Sequence, residues 1–474
     1  MKKVLIILAA IIAVVAGICY FTFAKNDACR NVIPEDAKAV MVFDGTEAMK
    51  QMNFTISDIM DLLKSGGDDG KEDSGIDVLA PMYGFVSNDN YLCGVFALSD
   101  ADAFEELIGN DGENTIESWR GFKWTQARNI LVCFDSGKAL VMGPVSKGES
   151  DIIRSKVAEW MNQDPHEVPM LSSLSDKKGI MCLRTNLEVL PITYQKQVST
   201  FYKNVDLSKV FFNAAFNVRE KSFVLSIDTE SEDEEYSKLI ARRAQNNRPI
   251  QADILQMPYR NPLAFVAFNI NGEALYDELG SNSLQYGMML GMLDGFCNAG
   301  KMLQSIDGNV TVAVDDISGR LPKFHVTACV KNTDFLKGAE SWGSGLSAFG
   351  MECHRVGEDR YLIGNRDFEL HLGVRDGILH LASDKEDAAS DSSAGGSSLA
   401  SCVEGKLYHF SLNIDKLVND VRFKSAFDVN NEAVKEFLSI LEQLDVSVGK
   451  DLKVEIELKT KQKVSEILMK NIKR

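Results

Sequence analysis

Residues 210–243 read VFFNAAFNVREKSFVLSIDTESEDEEYSKLIARR. Two runs, Val210 to Val218 and Phe223 to Ile227, flank the polar turn Arg219-Glu220-Lys221. Apolar residues that alternate with polar ones mark half-buried strands, and two such runs around a short turn predict an antiparallel hairpin. A charged helix is expected next, over Glu232 to Arg243. The C-terminus repeats the order: Val446-Ser447-Val448, a turn at Gly449-Lys450-Asp451, the strand Leu452 to Leu458, then a helix over Lys461 to Lys473.

Working outward, the beginnings of the two halves also match. Ala39 to Asp44 is a short apolar strand that leads into a helix over Glu47 to Met52. Leu263 to Asn269 leads in the same way into Glu273 to Leu279. A related strand and turn recur at Ile180 to Leu183 before Asn186-Leu187, and at His409 to Leu412 before Asn413-Ile414-Asp415. Equivalent elements lie roughly 225 to 230 residues apart, which reads as one duplicated domain rather than a short-period repeat.

Between these ends the chain reads as hairpins. Tyr91 to Leu98 is a strand, and Ser99-Asp100 caps a helix through Phe104 and Leu107. Phe324 to Val330, leading through Asn332-Thr333-Asp334 into Phe335, is its counterpart. Short strands near Phe122 to Thr125, Ile130 to Phe134 and Ala139 to Met142 are answered by Tyr361 to Ile363, Phe368 to Val374 and Ile378 to Ala382. The expected fold class is therefore α+β, with two pseudo-repeated halves, each a largely antiparallel sheet with helices packed on it. The domain boundaries follow as 1–24 for a signal or anchor, 33–245 for the first repeat and 256–474 for the second, with Gln245 to Gln251 as the linker. Ser65 to Ser74 and Glu386 to Ser401 read as solvated loops.

The first two dozen residues have a different character. Lys2 and Lys3 precede an uncharged run from Val4 to Phe23, about the 20 residues a helix needs to cross a bilayer. The paired lysines stay on the cytoplasmic side and send the rest of the chain outward. The length of the run favours a retained transmembrane anchor over a cleaved signal peptide. The alternative is cleavage after Ala24, where Thr22-Phe23-Ala24 has the small residues a signal peptidase uses, leaving a periplasmic or surface-exposed body. Lipid attachment at Cys19 is disfavoured because Ile18 stands where a small residue is needed.

A net charge of -17 at pH 7 argues against a nucleic-acid partner, which needs a basic surface to meet phosphates. It also argues against adhesion to anionic lipid through a polybasic patch. The nine cysteines form no Cys-x-x-Cys pair. Most read as small buried hydrophobes, and Cys93 with Cys133 is the first pair to test for a disulfide.

Some words of the sequence resemble a known family. Ile33-Pro34-Glu35-Asp36-Ala37 before an apolar strand, and Gly75-Ile76-Asp77 followed by Pro81-Met82-Tyr83-Gly84-Phe85, are similar to the exported Bacteroidota family classed as domain of unknown function 4836. The resemblance covers Ile33 to the C-terminus and implies no catalytic residues. Members of the family are often lipoproteins, from which this chain departs at Ile18.

No phosphate-binding loop, His-Glu-x-x-His motif or Gly-x-Ser-x-Gly elbow occurs. His325 and Cys329 share a strand face with Thr327, and with Cys353-His354 they supply zinc-type ligands, but ordinary strand burial is the better reading. The acidic run Asp68 to Asp73 lacks the register of a calcium loop. Gly287, Gly291 and Gly295 recur every four residues, with Met288, Met289 and Met292 between them, and predict a helix face packed closely inside the fold. A self-association face or a Met-lined groove is the alternative use of that ridge.

No catalytic, cofactor-binding or metal-ligating residue is assigned. The expected function is an exported, membrane-tethered envelope protein that binds or scaffolds a protein or an envelope polymer. The alternative is an extracytoplasmic hydrolase acting on such a polymer.

Overall fold

The computed structural model describes residues 28–472 apart from 55–73, 78–79, 110–114, 147, 175–176, 202–203, 252–254, 256–258, 260, 283–287, 289–290, 293, 295–297, 320, 348–349, 384–401 and 427–431. The run Val4 to Phe23, the acidic stretch Asp68 to Asp73 and the loop Glu386 to Ser401 thus lie outside the described residues. The chain combines helices with antiparallel sheet and divides into two compact units. One is Met1–Ser237 with Gln462–Arg474, and the other is Lys238–Lys461.

The first unit contains β1 (Ala39–Phe43), β2 (Met82–Val86), β3 (Leu92–Ala97), β4 (Glu117–Trp119) and β5 (Phe122–Ala127). It continues with β6 (Ile130–Phe134), β7 (Lys138–Gly143), β8 (Met181–Asn186), β9 (Val210–Arg219) and β10 (Ser222–Ser231). All neighbours pair antiparallel, in the order β10-β9-β8-β1-β2-β3-β7-β6-β5-β4. The hairpin expected from the sequence is β9–β10, closed where Arg219 faces Ser222.

Directly opposed residues on neighbouring strands share a face, as do residues two apart on one strand. Phe85, Val40 and Arg184 therefore lie in one row, and Tyr83, Val42 and Cys182 in the next. The face is apolar from β1 to β3, and past Val40 its row turns polar: Arg184 donates to Asn213 Oδ1 at 2.8 Å and to Glu230, and Asn213 donates to Asp228. Helix α1 (Ser150–Met161) covers the apolar part, with Ile153, Val157, Trp160 and Met161 buried against Phe85, Cys93, Leu140 and Trp124. The Phe85 and Trp160 rings meet edge to face at 5.6 Å.

The opposite face carries Phe43, Met82, Val218 and the helix Gly45–Met52, which buries Ala48 and Met52. That helix starts where Asp44, ending β1, accepts a hydrogen bond from the Glu47 amide at 3.1 Å, which satisfies an otherwise orphaned donor. The C-terminal helix Val464–Ile472 joins the same cluster through Val464 and Leu468.

The second unit contains β11 (Ala264–Asn271), β12 (Ile306–Asp316), β13 (Lys323–Val330), β14 (Glu352–Gly357) and β15 (Arg360–Gly364). Then come β16 (Glu369–Arg375), β17 (Ile378–Ala382), β18 (Tyr408–Asn413), β19 (Leu441–Val448) and β20 (Val454–Thr460). Their antiparallel order is β20-β19-β18-β11-β12-β13-β17-β16-β15-β14. One face packs Val310, Ala328, Leu372 and Leu379 against Phe335, Leu336 and Trp342. The helices Gly272–Asn282 and Ala299–Ser305 contribute Leu275, Met302 and Leu303 to the same cluster.

Several expectations change. β12 and α1 stand where the sequence reading assigns no element. Cys93 and Cys133 are free and cannot pair. They sit on β3 and β6 with β7 between them, so two strand spacings of about 4.8 Å separate them, beyond the roughly 7 Å that a disulfide tolerates. Of the glycine ridge, Gly287 and Gly295 lie outside the described residues. At Gly291 a Cβ would meet nothing within 4 Å among the described residues, and Met288 and Met292 are exposed, so Gly291 makes no close internal packing with them.

Candidate functional site

The face of the second sheet opposite the Phe335 core is polar although buried. Asp445, Ser411, Phe265, Ala313 and His325 form one cross-strand row. Ser447, His409, Ala267, Thr311, Thr327 and His380 form the adjacent one. Thus four of the six histidines fall on one surface, and three of them, from β13, β17 and β18, are each at most 6% exposed, the fourth being His371 on β16. The counterpart rows of the first unit hold Val40, Phe85, Val42 and Tyr83, together with the buried Arg184 and Asn213, and no histidine.

Two polar clusters form there. His325 Nε2 lies 3.2 Å from His380 Nδ1, and the hydroxyls of Thr311 and Thr327 are 2.5 Å apart. Burial pushes the His325 imidazole down to about 4, helped by its neighbour His380. Burial also lowers His380, with Arg375 adding to the effect. In the second cluster, Asp445 accepts hydrogen bonds from Gln443 Nε2 at 2.7 and 2.9 Å and pairs with Lys459 Nζ at 2.7 Å. Burial works to raise the Asp445 carboxyl, but hydrogen bonds from Lys459, Gln443 and Ser411 outweigh it and hold the group below its ordinary value.

His409 stands beside this carboxylate without joining the network. Its Nε2 is 3.9 Å from Asp445 Oδ1, too far for a hydrogen bond, and neither ring nitrogen has a partner among the described residues. Burial and then Lys406 push it down to about 4, against the pull of Asp445. Serine, histidine and aspartate are thus adjacent but wired unlike a hydrolytic triad. Ser411 is bonded to Asp445, whereas a triad needs the hydroxyl on the imidazole and the imidazole on the carboxylate.

The zinc-type set considered from the sequence does not assemble. His325 turns to His380, whereas His354 is exposed on β14 beside Glu352. Among the described residues no group of three or more His, Cys, Asp or Glu side chains is placed to hold a metal ion.

The segment 249–251 borders the polar face. Asn269 Nδ2 donates to the Pro249 carbonyl at 2.8 Å, and Asn309 exchanges two hydrogen bonds with the Gln251 backbone. Two asparagine side chains therefore satisfy the backbone of this segment along one edge. The Ile250 amide donates to Lys406 O at 2.8 Å, and the Gly405 amide donates to Ile250 O at 3.0 Å. Beside this ladder lies a pocket of about 430 Å³ lined by Asp307 and Gly308 at the irregular start of β12, by the turn at 404–405 and by Lys450. Arg248 and Lys450 bring positive charge to it, and Asp307 and Glu404 negative. Arg248 is tied to Asp307 at 2.5 Å, but no hydrogen bond or ion pair engages Lys450 among the described residues. Asn269, which also lines the pocket and is 4% exposed, has an unpartnered Oδ1.

Sequence reasoning missed this site. Its signal is the alternation of β-branched residues over Val310 to Val314, which marks β12 and places Thr311 on the inward row.

Among the described residues no helix is long and apolar enough to cross a membrane. No curated protein matches the chain. Among solved structures, crystal form IV of TP0453 aligns with 42% of this chain and 78% of its own, at 12% identity and a TM-score of 0.26. Crystal form I of the same protein aligns with 47% and 87%, at 10% identity and 0.27, which is too low a score to equate the folds. Residues 44–466 match the model of the family described as a domain of unknown function, DUF4836, so the chain belongs to that family.

Proposed function

We propose that the chain is an exported cell-envelope protein, tethered by one N-terminal helix, that acts by binding rather than by catalysis. The observation that carries the binding reading is the pocket in the second unit. Lys450, unengaged among the described residues, and Asn269, whose Oδ1 is buried without a partner among them, both line one cavity there, beside the Arg248–Asp307 pair. These groups suit a small ligand with both a carboxylate and an N–H donor, such as a short peptide segment of an envelope polymer.

The two units further read as copies of one domain. Strands β1 to β10 and β11 to β20 follow the same order across their sheets. Asp44 and Asn271 each cap the helix after the first strand, through the amides of Glu47 and Ala274. On this reading both copies keep polar groups on this face: in the first they centre on Arg184 and Asn213, and in the second they include three buried histidines. Export and tethering rest on Lys2-Lys3 and the run Val4 to Phe23.

Calorimetric titration with soluble peptide fragments of the envelope polymer tests binding. Saturable heat that weakens about 10-fold in Lys450→Glu, a loss of one close charge contact, is the expected result. A wild-type protein that takes up none of the fragments sinks the binding reading. A mature N-terminus at Lys25, found by mass spectrometry of the membrane fraction, would sink the tether.

A further inference from the structure

We propose that mild acid loosens the polar face of the second unit and, with it, the 249–251 segment that walls the pocket. The inference rests on the reading of that pocket as a binding site, whose regulation it describes.

The geometry supplies the device. His325, His380 and His409 are buried on one sheet face, and among the described residues His325 Nδ1 and both nitrogens of His409 have no partner. A buried imidazole without a partner tolerates the neutral form and resists the charged one. The groups that face these rings determine what a proton would meet. Across from His325 stand His380 at 3.2 Å and the uncharged Ala313 and Ala382. Lys323 lies on the same side of β13, over the Tyr259 ring. His371, one strand further along the row, pairs with Glu369 at 4.0 Å. Arg375 acts on His380. A proton on either ring of the His325–His380 pair thus meets a second ring already hydrogen-bonded to it, and two protons meet each other.

His409 faces Asp445 at 3.9 Å, but that carboxylate is already paired with Lys459, and Lys406 adds a further positive charge. Glu455 and Glu457 of β20 stand one strand further off, Glu455 beyond Ser447 and Glu457 beyond Asp445. The Asp445 carboxylate therefore gives a charged His409 little relief. Its ring packs on Phe265, 6.4 Å between centroids. Phe265 clusters with Ile250 and Val403, and the backbone bonds of Ile250 to Gly405 and Lys406 form one side of the pocket. Displacement of His409 is thereby transmitted to the wall.

The direction follows from linkage. The folded-state values of His325 and His409, about 4, lie below the ordinary 6.5. An opened state binds protons that the closed state refuses, so the closed state loses ground as pH falls from about 6.5 toward 4. The loss approaches 10-fold per pH unit for each histidine in that window. The first unit carries only His166, already bonded to the carbonyls of Asp164 and Ile33, and no histidine on its sheet face.

Hydrogen exchange of the ligand-free full chain, expressed as protection factors at pH 7 and pH 5, reads the device. Protection at the Ile250 and Gly405 amides should fall by at least about 10-fold, while the Ile180 amide of the first unit holds steady. His409→Gln and His325→Gln should each reduce the drop, and His354→Gln, an exposed control, should leave it intact. A pH-independent Ile250 amide, an equal fall at Ile180, or a drop that survives in both buried-histidine variants would overturn the proposal. Because no ligand is present, a pocket that binds nothing leaves this result standing, and the two readings fail separately.

Discussion

The Lys463 ammonium lies 2.8 Å from the Glu220 carboxylate, and the amide of Val464 donates to the Glu220 carbonyl at 3.0 Å. The tip of the β9–β10 hairpin thus holds the start of the C-terminal helix, although more than two hundred residues separate them. The ion pair is solvent-exposed, so screening leaves it a small role. The stabilisation comes from Val464 and Ile467, which are 1% and 5% exposed. Ile467→Ala should cost about 2–5 kcal/mol, by lost burial and the cavity left behind. Urea denaturation followed by hydrogen exchange should place the loss in the first unit, at Ile180, and not at Ile250. Lys463→Ala should shift the same midpoint only slightly.

The cap at Asp44 is a local contact with a local cost. Its carboxylate accepts from the Glu47 amide at the first turn of the helix Gly45–Met52. Asp44→Ala should destabilise by about 1 kcal/mol, and Asp44→Asn by much less, because asparagine also accepts at this position. Equal losses for the two substitutions, measured as shifts of the denaturation midpoint, would refute the capping role.

Gly272 opens its helix with no room for a side chain. A Cβ there would lie 1.9 Å from the Leu303 carbonyl oxygen and 2.9 Å from that of Ile306. Both are backbone atoms, which cannot swing aside as a flexible side chain would. Gly272→Ala should therefore destabilise the second unit by several kcal/mol, on the scale of an overpacked core. An alanine variant that melts with the wild type would show that the helices Gly272–Asn282 and Ala299–Ser305 can part without cost.

Cysteine chemistry should divide by burial. Burial pushes the thiols of Cys29 and Cys182 up to about 12 and about 11, and raises Cys93 and Cys133 well above their ordinary value. Only the thiolate reacts quickly, so these four should resist iodoacetamide in the native protein at pH 8, whereas the exposed Cys402 is labelled. A reductant should leave the melting temperature unchanged. A disulfide-linked Cys93–Cys133 peptide in a non-reducing digest would contradict the strand order.

The hairpin around Glu220-Lys221, the α+β character and membership of the family were legible in the residues themselves. Alternation, turn chemistry and capping act over a few positions, so a linear reading captures them. At Gly291 the expected close packing does not occur, because packing depends on what lies opposite, and among the described residues nothing does. The polar face was invisible for a related reason. Thr311, His325, His380, His409 and Asp445 come from five strands spread over 135 residues, and each alone reads as an ordinary strand residue. Pairing register places them on one surface, and burial then makes their charge states matter. Sequence alone determined the local elements and the family; the tertiary structure decided which face is apolar, which is polar, and that the last helix completes the first unit. Those outcomes depend on long-range pairing, which no short window of sequence contains.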